Sequence, residues 1–456
     1  MQTRTFLGYF TSLLILLTAC SSTESHAQSK TGKQRYCTGL TATGSENAAF
    51  TIYTNPAENS STCMNISWAT QPGKVCEIEV TNEADGSIVT YQVDEPQLCK
   101  TFDNINSKLG NNKDVVEKHV FDKYGYELFG LQPDTDYSYR IITYDPDTDT
   151  EETSDTYRFR TAGADSWKAA VIGDFHHYSP IWSRLDSAMG MLDVLDSVSG
   201  GYDMVISTGD QTAWGGSYNF WTELSEQPQY KNHMWASVQG NHDQMTRNSV
   251  KTDNFFRDSH FFPRNGYPGQ EGISYWFRYG DVLFIMLNNE ALLKSGSLEP
   301  CLNWMENVIK DNPSRYVVVV EHHQWLIGTN GGNSQLDRFR KAFDRLGVDL
   351  ALSGHNHAYL RTYPLYDRKP VKPEEGTYYV VNSSSDNNRG RALVPLAANK
   401  DIIAKRWSEG ANTVGAMIMD VNPERIEMTL YDRNGKVQDN FTVPAKEKNP
   451  SLSPNQ

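Results

Sequence analysis

Gly354-His355-Asn356-His357 is one of five short polar clusters that each come directly after an apolar run of the chain. The other four are Gly173-Asp174-Phe175-His176, Gly209-Asp210, Gly240-Asn241-His242-Asp243 and Glu321-His322-His323. Open α/β sheets build their sites in the loops at the carboxyl ends of strands. The clusters therefore predict an α/β region whose polar side chains gather at the strand ends.

The segments around the clusters agree with this prediction. Near-continuous apolar runs, typical of strands buried on both faces, occupy residues 169–172, 204–206, 282–286 and 317–320. Helical stretches are predicted at residues 181–195, 300–310 and 334–346, and closing strands at 415–421, 425–431 and 439–443. We therefore expect two packed sheets together with helices.

The residue types in the clusters favour a metal centre. In an extended segment residues two apart point the same way, so Asp174 with His176, and His355 with His357, would each present two ligands to one pocket. Glycine precedes four of the clusters, as expected where the backbone needs a positive φ or a close approach. Carboxylate, imidazole and amide groups together suit Mn, Fe or Zn. Seven candidate ligands are too many for one ion and are enough for two that share a bridge.

The ordered set D-x-H, G-D, G-N-H-[DE], H and G-H-x-H, from Asp174 to His357, resembles the calcineurin-like metallophosphoesterase superfamily. Residues 354–366, GHNHAYLRTYPLY, are similar to the H-x-H-x-Y-x-R-T-x-P segment of purple acid phosphatases. The resemblance implies a four-layer αββα domain over residues 164–445 and two divalent or mixed-valence metal ions (Fe, Mn or Zn). It also implies hydrolysis of a small-molecule phosphate ester through in-line attack by a metal-activated hydroxide.

The same resemblance implies a role for each residue. One ion would be bound by Asp174, His176 and His357, the other by Asn241, His322 and His355, and Asp210 would bridge them. His242 matches the histidine that contacts phosphate and helps to protonate the leaving oxygen, and Asp243 matches the acidic residue beside it.

Two positions depart from the family pattern. Purple members carry a tyrosine three residues after the bridging aspartate, where this chain has Ala213, so we expect an enzyme that is not purple. Plant-type members place histidines where this chain has Gly331 and Gly332, so outer contacts to the substrate must come from elsewhere. The candidates for those contacts, each more in keeping with a structural role, are His177, His323 and Arg361.

The N-terminal part differs from the rest of the chain in its composition and its hydrophobic pattern. Residues 47–163 are rich in Thr, Ser, Tyr and Val with short alternating runs, which predicts an all-β sandwich that resembles fibronectin type III domains and serves as a packing module. Cys37, Cys63, Cys76 and Cys99 predict up to two disulfides of open connectivity in an oxidising compartment. Cys301, in a helical stretch, is expected to be a small buried residue.

The first residues resemble an export signal. Residues 1–19 resemble a lipoprotein signal peptide, with Cys20 after Leu17-Thr18-Ala19 as the lipidated residue; an ordinary signal peptide or a short anchor is the alternative. Residues 20–46 would be a polar tether and residues 446–456 a disordered tail. The expected location is the bacterial cell envelope, periplasmic or on the cell surface, with the lipid as the membrane contact.

The net charge of the chain limits the classes of partner that we expect. The formal net charge of −14 makes a nucleic-acid partner unexpected, since such proteins neutralise phosphates with basic residues. Three functions stay open: an acid phosphatase-like phosphomonoesterase, a phosphodiesterase acting on nucleotides or lipid headgroups, and a surface binding protein with an inactive phosphatase domain. The loops expected to decide the substrate are residues 212–228, 253–272 and 382–407; the last includes the basic insert 389–406.

Overall fold

The computed structural model describes residues 48–106, 115–163, 166–245, 255–295, 297–330, 333–395 and 399–446. These residues lie within one compact unit, Tyr36–Gln456. The predicted signal peptide, the tether with Cys20 and Cys37, and the C-terminal tail lie outside the described residues apart from Lys446, so these predictions stay predictions, as do the domain boundaries.

The N-terminal part is built of strands. They are β1 (Phe50–Pro56), β2 (Cys63–Thr70), β3 (Val75–Asn82), β4 (Ile88–Val93), β5 (Leu98–Asn106), β6 (Val115–Phe129), β7 (Asp136–Asp145), β8 (Thr150–Thr153) and β9 (Tyr157–Arg160). One sheet has the order β1-β2-β6-β5 and the other the order β4-β3-β7-β8, with β9 also paired to β7. The sheets meet through Trp68, whose indole N–H donates to Cys76 Sγ at 3.4 Å and whose ring stacks on Tyr124 at 5.3 Å.

The rest of the chain alternates strands and helices. The strands are β10 (Trp167–Ile172), β11 (Met204–Ser207), β12 (Met234–Ser237), β13 (Tyr275–Tyr279), β14 (Val282–Met286), β15 (Tyr316–Val320), β16 (Leu350–Ser353), β17 (Tyr359–Thr362), β18 (Leu365–Tyr366), β19 (Lys369–Pro370), β20 (Tyr378–Val381), β21 (Ile403–Trp407), β22 (Gly415–Val421), β23 (Arg425–Asp432) and β24 (Val437–Pro444). The helices are α1 (Ser183–Ser199), α2 (Tyr218–Ser225), α3 (Pro228–Lys231), α4 (Phe255–Ser259), α5 (Asn289–Ser295), α6 (Glu299–Asp311) and α7 (Leu336–Leu346). The predicted strands and helices are therefore confirmed, with ends that shift by a few residues.

Two sheets carry the site. The first has the order β12-β11-β10-β22-β23-β24, with β10, β11 and β12 parallel. The second has the order β13-β14-β15-β16-β20-β17-β21, with β14, β15, β16 and β20 parallel. Helix α1 packs on the first sheet against β10 and β22. This is the predicted mixed α/β architecture, preceded by a β-rich region.

Strand β15 shows how the layers form. Its alternate residues Tyr316, Val318 and Val320 belong to the core shared with the first sheet. Val317 and Val319 belong to a second core with residues of α6 and α7. Because successive side chains of a strand point to opposite faces, a continuous apolar run is what a sheet between two cores requires.

The β-rich region packs directly on the α/β part through β1. Thr51 Oγ1 lies 2.7 Å from Thr222 Oγ1, and the Tyr53 hydroxyl donates to the carbonyl of Trp221. Asn55 uses both ends of its amide: Nδ2 donates to Trp235 O at 3.1 Å, and Oδ1 accepts from Phe261 N–H at 2.9 Å. These buried polar bonds fix one part against the other.

The cysteines correct one expectation. Cys63 and Cys76 are free thiols, so neither takes part in the two disulfides that the sequence predicted. Cys76 is fully buried against Trp68, and burial raises the pKa of its thiol to about 12. It fills the core as an apolar residue does. Cys37 and the side chain of Cys99 lie outside the described part, whereas Cys301 is buried in α6 as predicted. Among the described residues, no helix is long and apolar enough to cross a membrane.

Candidate metal centre

The seven predicted ligands lie in five loops that follow parallel strands. Asp174 and His176 follow β10, Asp210 follows β11, Asn241 follows β12, His322 follows β15, and His355 and His357 follow β16. The carboxyl ends of these strands bring the loops of both sheets together, as expected for an open α/β arrangement.

Asp210 lies at the centre of the cluster. Its Oδ2 is 3.2 Å from Nε2 of His176 and 3.2 Å from Nε2 of His322. The ligand atoms of Asp174, His176, Asp210 and His357 all lie within 4.8 Å of one another, and so do those of Asp210, His322 and His355. The structure therefore forms two groups of ligands that share one carboxylate.

Asn241 joins the second group. Its Oδ1 lies 3.1 Å from His322 Nε2, and that nitrogen lies 3.1 Å from His355 Nδ1. A single proton on His322 Nε2 can make a well-aligned hydrogen bond with only one of the other two atoms. A shared cation would satisfy them, because each offers a lone pair.

His176 gives an independent test of whether metal ions fit. Both of its ring nitrogens are buried and without a hydrogen-bond partner. Burying a polar atom without a partner is costly, so such atoms in a folded protein call for an explanation. A metal ion beside Asp210 would give Nε2 a partner, and the donor set of carboxylates, imidazoles and an amide is one that borderline divalent metals accept.

Backbone carbonyls orient the imidazoles. His322 Nδ1–H donates to Thr208 O at 2.8 Å, and His357 Nδ1–H donates to Arg389 O at 2.7 Å. These bonds place the lone pair of each ring on Nε2, which faces the ligand cluster. Such outer hydrogen bonds are the usual support of metal-binding histidines.

Burial and charge set the protonation of the cluster. Burial lowers the pKa of His176 well below its usual range and, with the neighbouring charge of His322, lowers the pKa of His355 to about 2. Burial opposes protonation of His322 too, but the charge of Asp210 outweighs it and raises the pKa of His322 to about 10. A proton on His322 Nε2 therefore balances the charge of Asp210 when no metal is bound, and a cation at this place would replace that proton and free the Nε2 lone pair.

The backbone at the ligands differs from the extended form assumed for the sequence. Five ligands have positive φ angles: Asp174 (54°), His176 (45°), Asp210 (52°), His355 (66°) and His357 (56°). The paired ligands do converge, but through left-handed turns and not through the alternation of an extended segment. The turns are held by bonds such as that from His355 N–H to Asp174 Oδ2 at 2.8 Å. Left-handed conformations of non-glycine residues cost free energy and concentrate at functional sites.

The glycines before the ligands mainly permit close contact. A Cβ on Gly240 would lie 2.2 Å from Asp210 Oδ1, and one on Gly354 would lie 2.4 Å from Asp174 Oδ2. Only Gly209 of the four has a positive φ, at 91°. These residues are needed because ligand carboxylates pack against the backbone.

His242 borders the cluster and Asp243 does not face it. His242 N–H donates to Asp210 Oδ1 at 2.7 Å, and its Nδ1–H donates to Ala213 O at 3.0 Å. Asp243 is buried and accepts bonds from Thr212 N–H at 3.0 Å and Gly240 N–H at 2.9 Å. Burial, followed by the charge of Asp210, raises the pKa of Asp243 to about 7. Asp243 thus ties two ligand loops together.

The three residues considered as outer contacts to the substrate pair with other side chains. His177 Nε2 lies 2.6 Å from Glu223 Oε2, and His323 Nε2 contacts Glu290. Arg361 pairs with Asp439 at 2.7 Å, on β24. Their contacts are those of structural residues, although the His323 ring also lies 4.5 Å from that of His355.

Two functional candidates lie in the loop of residues 382–407, which the sequence analysis expected to influence substrate choice without giving either residue a role. Asp386 is buried, with Oδ2 at 3.8 Å from His176 Nδ1 and 3.3 Å from Arg184 Nε. Arg389 reaches His242, with Nη2 at 3.4 Å from Nε2. Asp386 and Arg389 follow β20, a buried parallel strand, so the rule that located the other loops also applied here.

Ala213 and Trp214 lie beside His242. The Ala213 side chain packs with Tyr178 and Phe220, so this position supplies no phenolate. The Trp214 ring lies 6.2 Å from the His242 ring. Gly331 and Gly332 lie outside the described residues.

Comparison with known proteins identifies the family. Residues 168–359 match the family model for calcineurin-like phosphoesterases, and this range contains all seven ligands and His242. This segment is a calcineurin-like phosphoesterase domain. The ordered motifs predicted this family.

Relatives of the phosphoesterase domain differ in their named activities. A barley (Hordeum vulgare) nucleotide pyrophosphatase/phosphodiesterase is 24% identical over 231 residues, 45% of this chain and 59% of the relative's length. The purple acid phosphatase PPD1 from yellow lupin (Lupinus luteus) seeds superposes with a TM-score of 0.67 at 14% identity, covering 90% of this chain and 77% of that one. PhoD superposes with a TM-score of 0.55 at 11% identity, covering 88% of this chain and 94% of that one. The structural likenesses show a shared fold.

Proposed function

We propose that the protein is a binuclear metal-dependent phosphomonoesterase of the acid phosphatase kind. The observation that carries the proposal is the sharing of Asp210 by two ligand groups, since its Oδ2 lies 3.2 Å from both His176 and His322. Two divalent ions supply Lewis acidity toward the phosphoryl group and a water of lowered pKa. Asp174, His176 and His357 would hold one ion, and Asn241, His322 and His355 the other.

The chain's own residues prepare the substrate position. His242 donates its Nδ1–H to Ala213 O, which fixes the ring with Nε2 on the side of Arg389, whose Nη2 lies 3.4 Å away. A phosphate oxygen there would lie within reach of that nitrogen, so His242 would contact the phosphoryl group and deliver a proton to the leaving oxygen once Nε2 is protonated. Asp243 would support this geometry by holding Thr212 and Gly240 in place.

A phosphodiesterase is the second candidate. It is supported by the barley relative, which is named a nucleotide pyrophosphatase/phosphodiesterase and is 24% identical over the matched residues. The same ligand set serves either ester, because the metal centre acts on the phosphoryl group and the surrounding loops act on its substituents.

One experiment separates these functions. The purified protein is stripped of metal, reloaded with Mn, Zn or Fe, and assayed on p-nitrophenyl phosphate and bis(p-nitrophenyl) phosphate, with His242→Ala as the control variant. We expect faster turnover of the monoester, lost in the variant. Faster turnover of the diester would move the assignment to a phosphodiesterase. Absence of turnover with every metal would overturn the enzymatic proposal in favour of a binding protein with an inactive domain.

We also propose that the protein works from the bacterial cell envelope, held by a lipid on Cys20. The support is the sequence Leu17-Thr18-Ala19-Cys20 followed by a polar stretch. Metabolic labelling of expressing bacteria with palmitate is expected to mark the protein and to leave Cys20→Ser unmarked. Equal labelling of both would contradict this proposal.

A further inference from the structure

Arg389 links the loop after β20 to the metal centre. Its carbonyl accepts the Nδ1–H of the ligand His357 at 2.7 Å, which fixes its backbone beside the site. Its guanidinium Nη2 donates to His242 Nε2 at 3.4 Å. The Arg389 side chain is therefore held at the position where His242 would meet a phosphate.

Within the part of the chain that the structure describes, no carboxylate lies within ion-pair distance of the Arg389 guanidinium, and the charges of Asp210, Asp386 and Asp174 act on it from farther away. The neighbouring acid, Asp386, pairs with Arg184 at 3.3 Å. Burial, followed by the charge of Arg184, lowers the pKa of Arg389. The carboxylate of Asp386 is thus already paired with Arg184, and a partly desolvated guanidinium without a direct ion pair favours an incoming anion.

We infer that Arg389, together with His242, binds the non-bridging oxygens of the scissile phosphoryl group and makes the site select dianionic phosphate monoesters over monoanionic diesters. The inference rests on the proposed hydrolysis of phosphate esters at this centre. A planar guanidinium matches two phosphate oxygens at once. A dianion interacts about twice as strongly with one positive charge as a monoanion does at the same distance, so Arg389 stabilises the monoester more.

The test compares Arg389→Met with Arg391→Met in the metal-loaded protein. Arg391 is a matched control, because it belongs to the same loop but is exposed and donates to Asn330 O at 3.3 Å. For Arg389→Met we expect kcat/KM for p-nitrophenyl phosphate to fall about 100-fold and that for bis(p-nitrophenyl) phosphate to fall about tenfold or less. Free guanidinium should restore part of the monoester activity. Arg391→Met should stay within about twofold of the wild type.

Two results would overturn the inference. One is equal behaviour of Arg389→Met and Arg391→Met, and the other is an equal loss on both esters. Arg389→Lys guards against a folding defect, since it keeps the charge and is expected to lose rate while keeping the preference for the monoester.

Phosphate binding separates this inference from the proposed function. Calorimetry with inorganic phosphate needs no turnover, and Arg389→Met should bind phosphate about tenfold or more weakly than the wild type. If the wild type hydrolyses neither ester but loses phosphate affinity in Arg389→Met, the enzymatic proposal fails and the binding role stands. If the wild type is an active enzyme and Arg389→Met binds phosphate as tightly as the wild type, the role of Arg389 is contradicted and the proposed function stands.

Discussion

At the scale of single residues, Asp210 holds the centre together. Its carboxylate contacts His176 and His322 through Oδ2 and accepts the His242 N–H through Oδ1. A carboxylate can bridge two cations because it brings negative charge and several lone pairs to a shared position. A neutral amide brings no charge.

We therefore expect Asp210→Asn to lower the bound metal from two ions per chain to one or none. The measurement is elemental analysis after reconstitution and desalting. Asp439→Asn is the matched control, since Asp439 pairs with Arg361 and belongs to neither ligand group, so its loss should leave the metal content unchanged. Two ions retained in Asp210→Asn would refute the bridging role.

The identities of the ligands were predictable from sequence, but their backbone conformations were not. Residue type and position after an apolar run located Asp174 and His355, because loops after parallel strands must meet at one edge. The positive φ of each, 54° and 66°, is imposed by tertiary bonds such as that from His355 N–H to the Asp174 carboxylate. Local sequence preferences cannot predict a bond between residues that are 181 positions apart in the chain.

At the scale of elements, two glycines with opposite surroundings test the packing of the loops. Gly240 lies in a ligand loop, where an added Cβ would lie 2.2 Å from Asp210 Oδ1. Gly190 lies exposed in α1, where an added Cβ meets nothing within 4 Å. The same substitution should therefore act in opposite directions.

We expect Gly240→Ala to reduce the free energy of unfolding by about 1–3 kcal/mol, because the ligand loops must move apart. Gly190→Ala should raise it by about 0.5–1 kcal/mol, because alanine loses less backbone freedom in a helix. Urea unfolding of both variants measures the difference. A loss of stability in Gly190→Ala would contradict the open surroundings of Gly190. No loss in Gly240→Ala would contradict the close contact between Gly240 and Asp210.

Some strands could be predicted from their own sequence, and others could not. Strand β15 was predicted because its continuous apolar run fits a strand between two cores. Strand β20 was not predicted although Tyr378–Val381 is buried throughout, so the loop with Asp386 and Arg389 was expected to affect the substrate but was not placed beside the metal ligands. Arg361 was a candidate for an outer contact with a structural role favoured, and its partner Asp439 lies 78 residues away, so only the fold could identify the pairing.

At the scale of the whole molecule, the β-rich region and the phosphoesterase domain share a buried contact at His260. Its ring lies 4.3 Å from that of Tyr53 and 5.6 Å from that of Trp221, and Lys123 donates to its carbonyl. Burial is the main cause that lowers the pKa of His260 to about 3. The folded protein therefore keeps this imidazole neutral.

The contact predicts a pH dependence of stability. The unfolded chain protonates His260 near pH 6.5 and the folded chain only near pH 3, so its contribution is present above pH 6.5 and is lost as the pH falls. Between pH 7 and pH 5 this costs about 2 kcal/mol. His260→Phe should remove that part of the slope in urea unfolding.

Tyr53→Phe is the control at the same contact. It removes the hydroxyl that donates to Trp221 O but no group that titrates in this range, because burial raises the pKa of Tyr53 further above its usual value. We expect it to lower stability equally at pH 7 and pH 5. An unchanged slope in His260→Phe would argue against a neutral, buried imidazole between the two parts.

The binuclear centre is tested most directly by anomalous diffraction from crystals of the metal-loaded protein. We expect two peaks on either side of Asp210, roughly 3.5–4 Å apart, one near His176 and His357 and the other near His322 and His355. A single peak, or peaks away from these residues, would contradict the assignment of a binuclear centre.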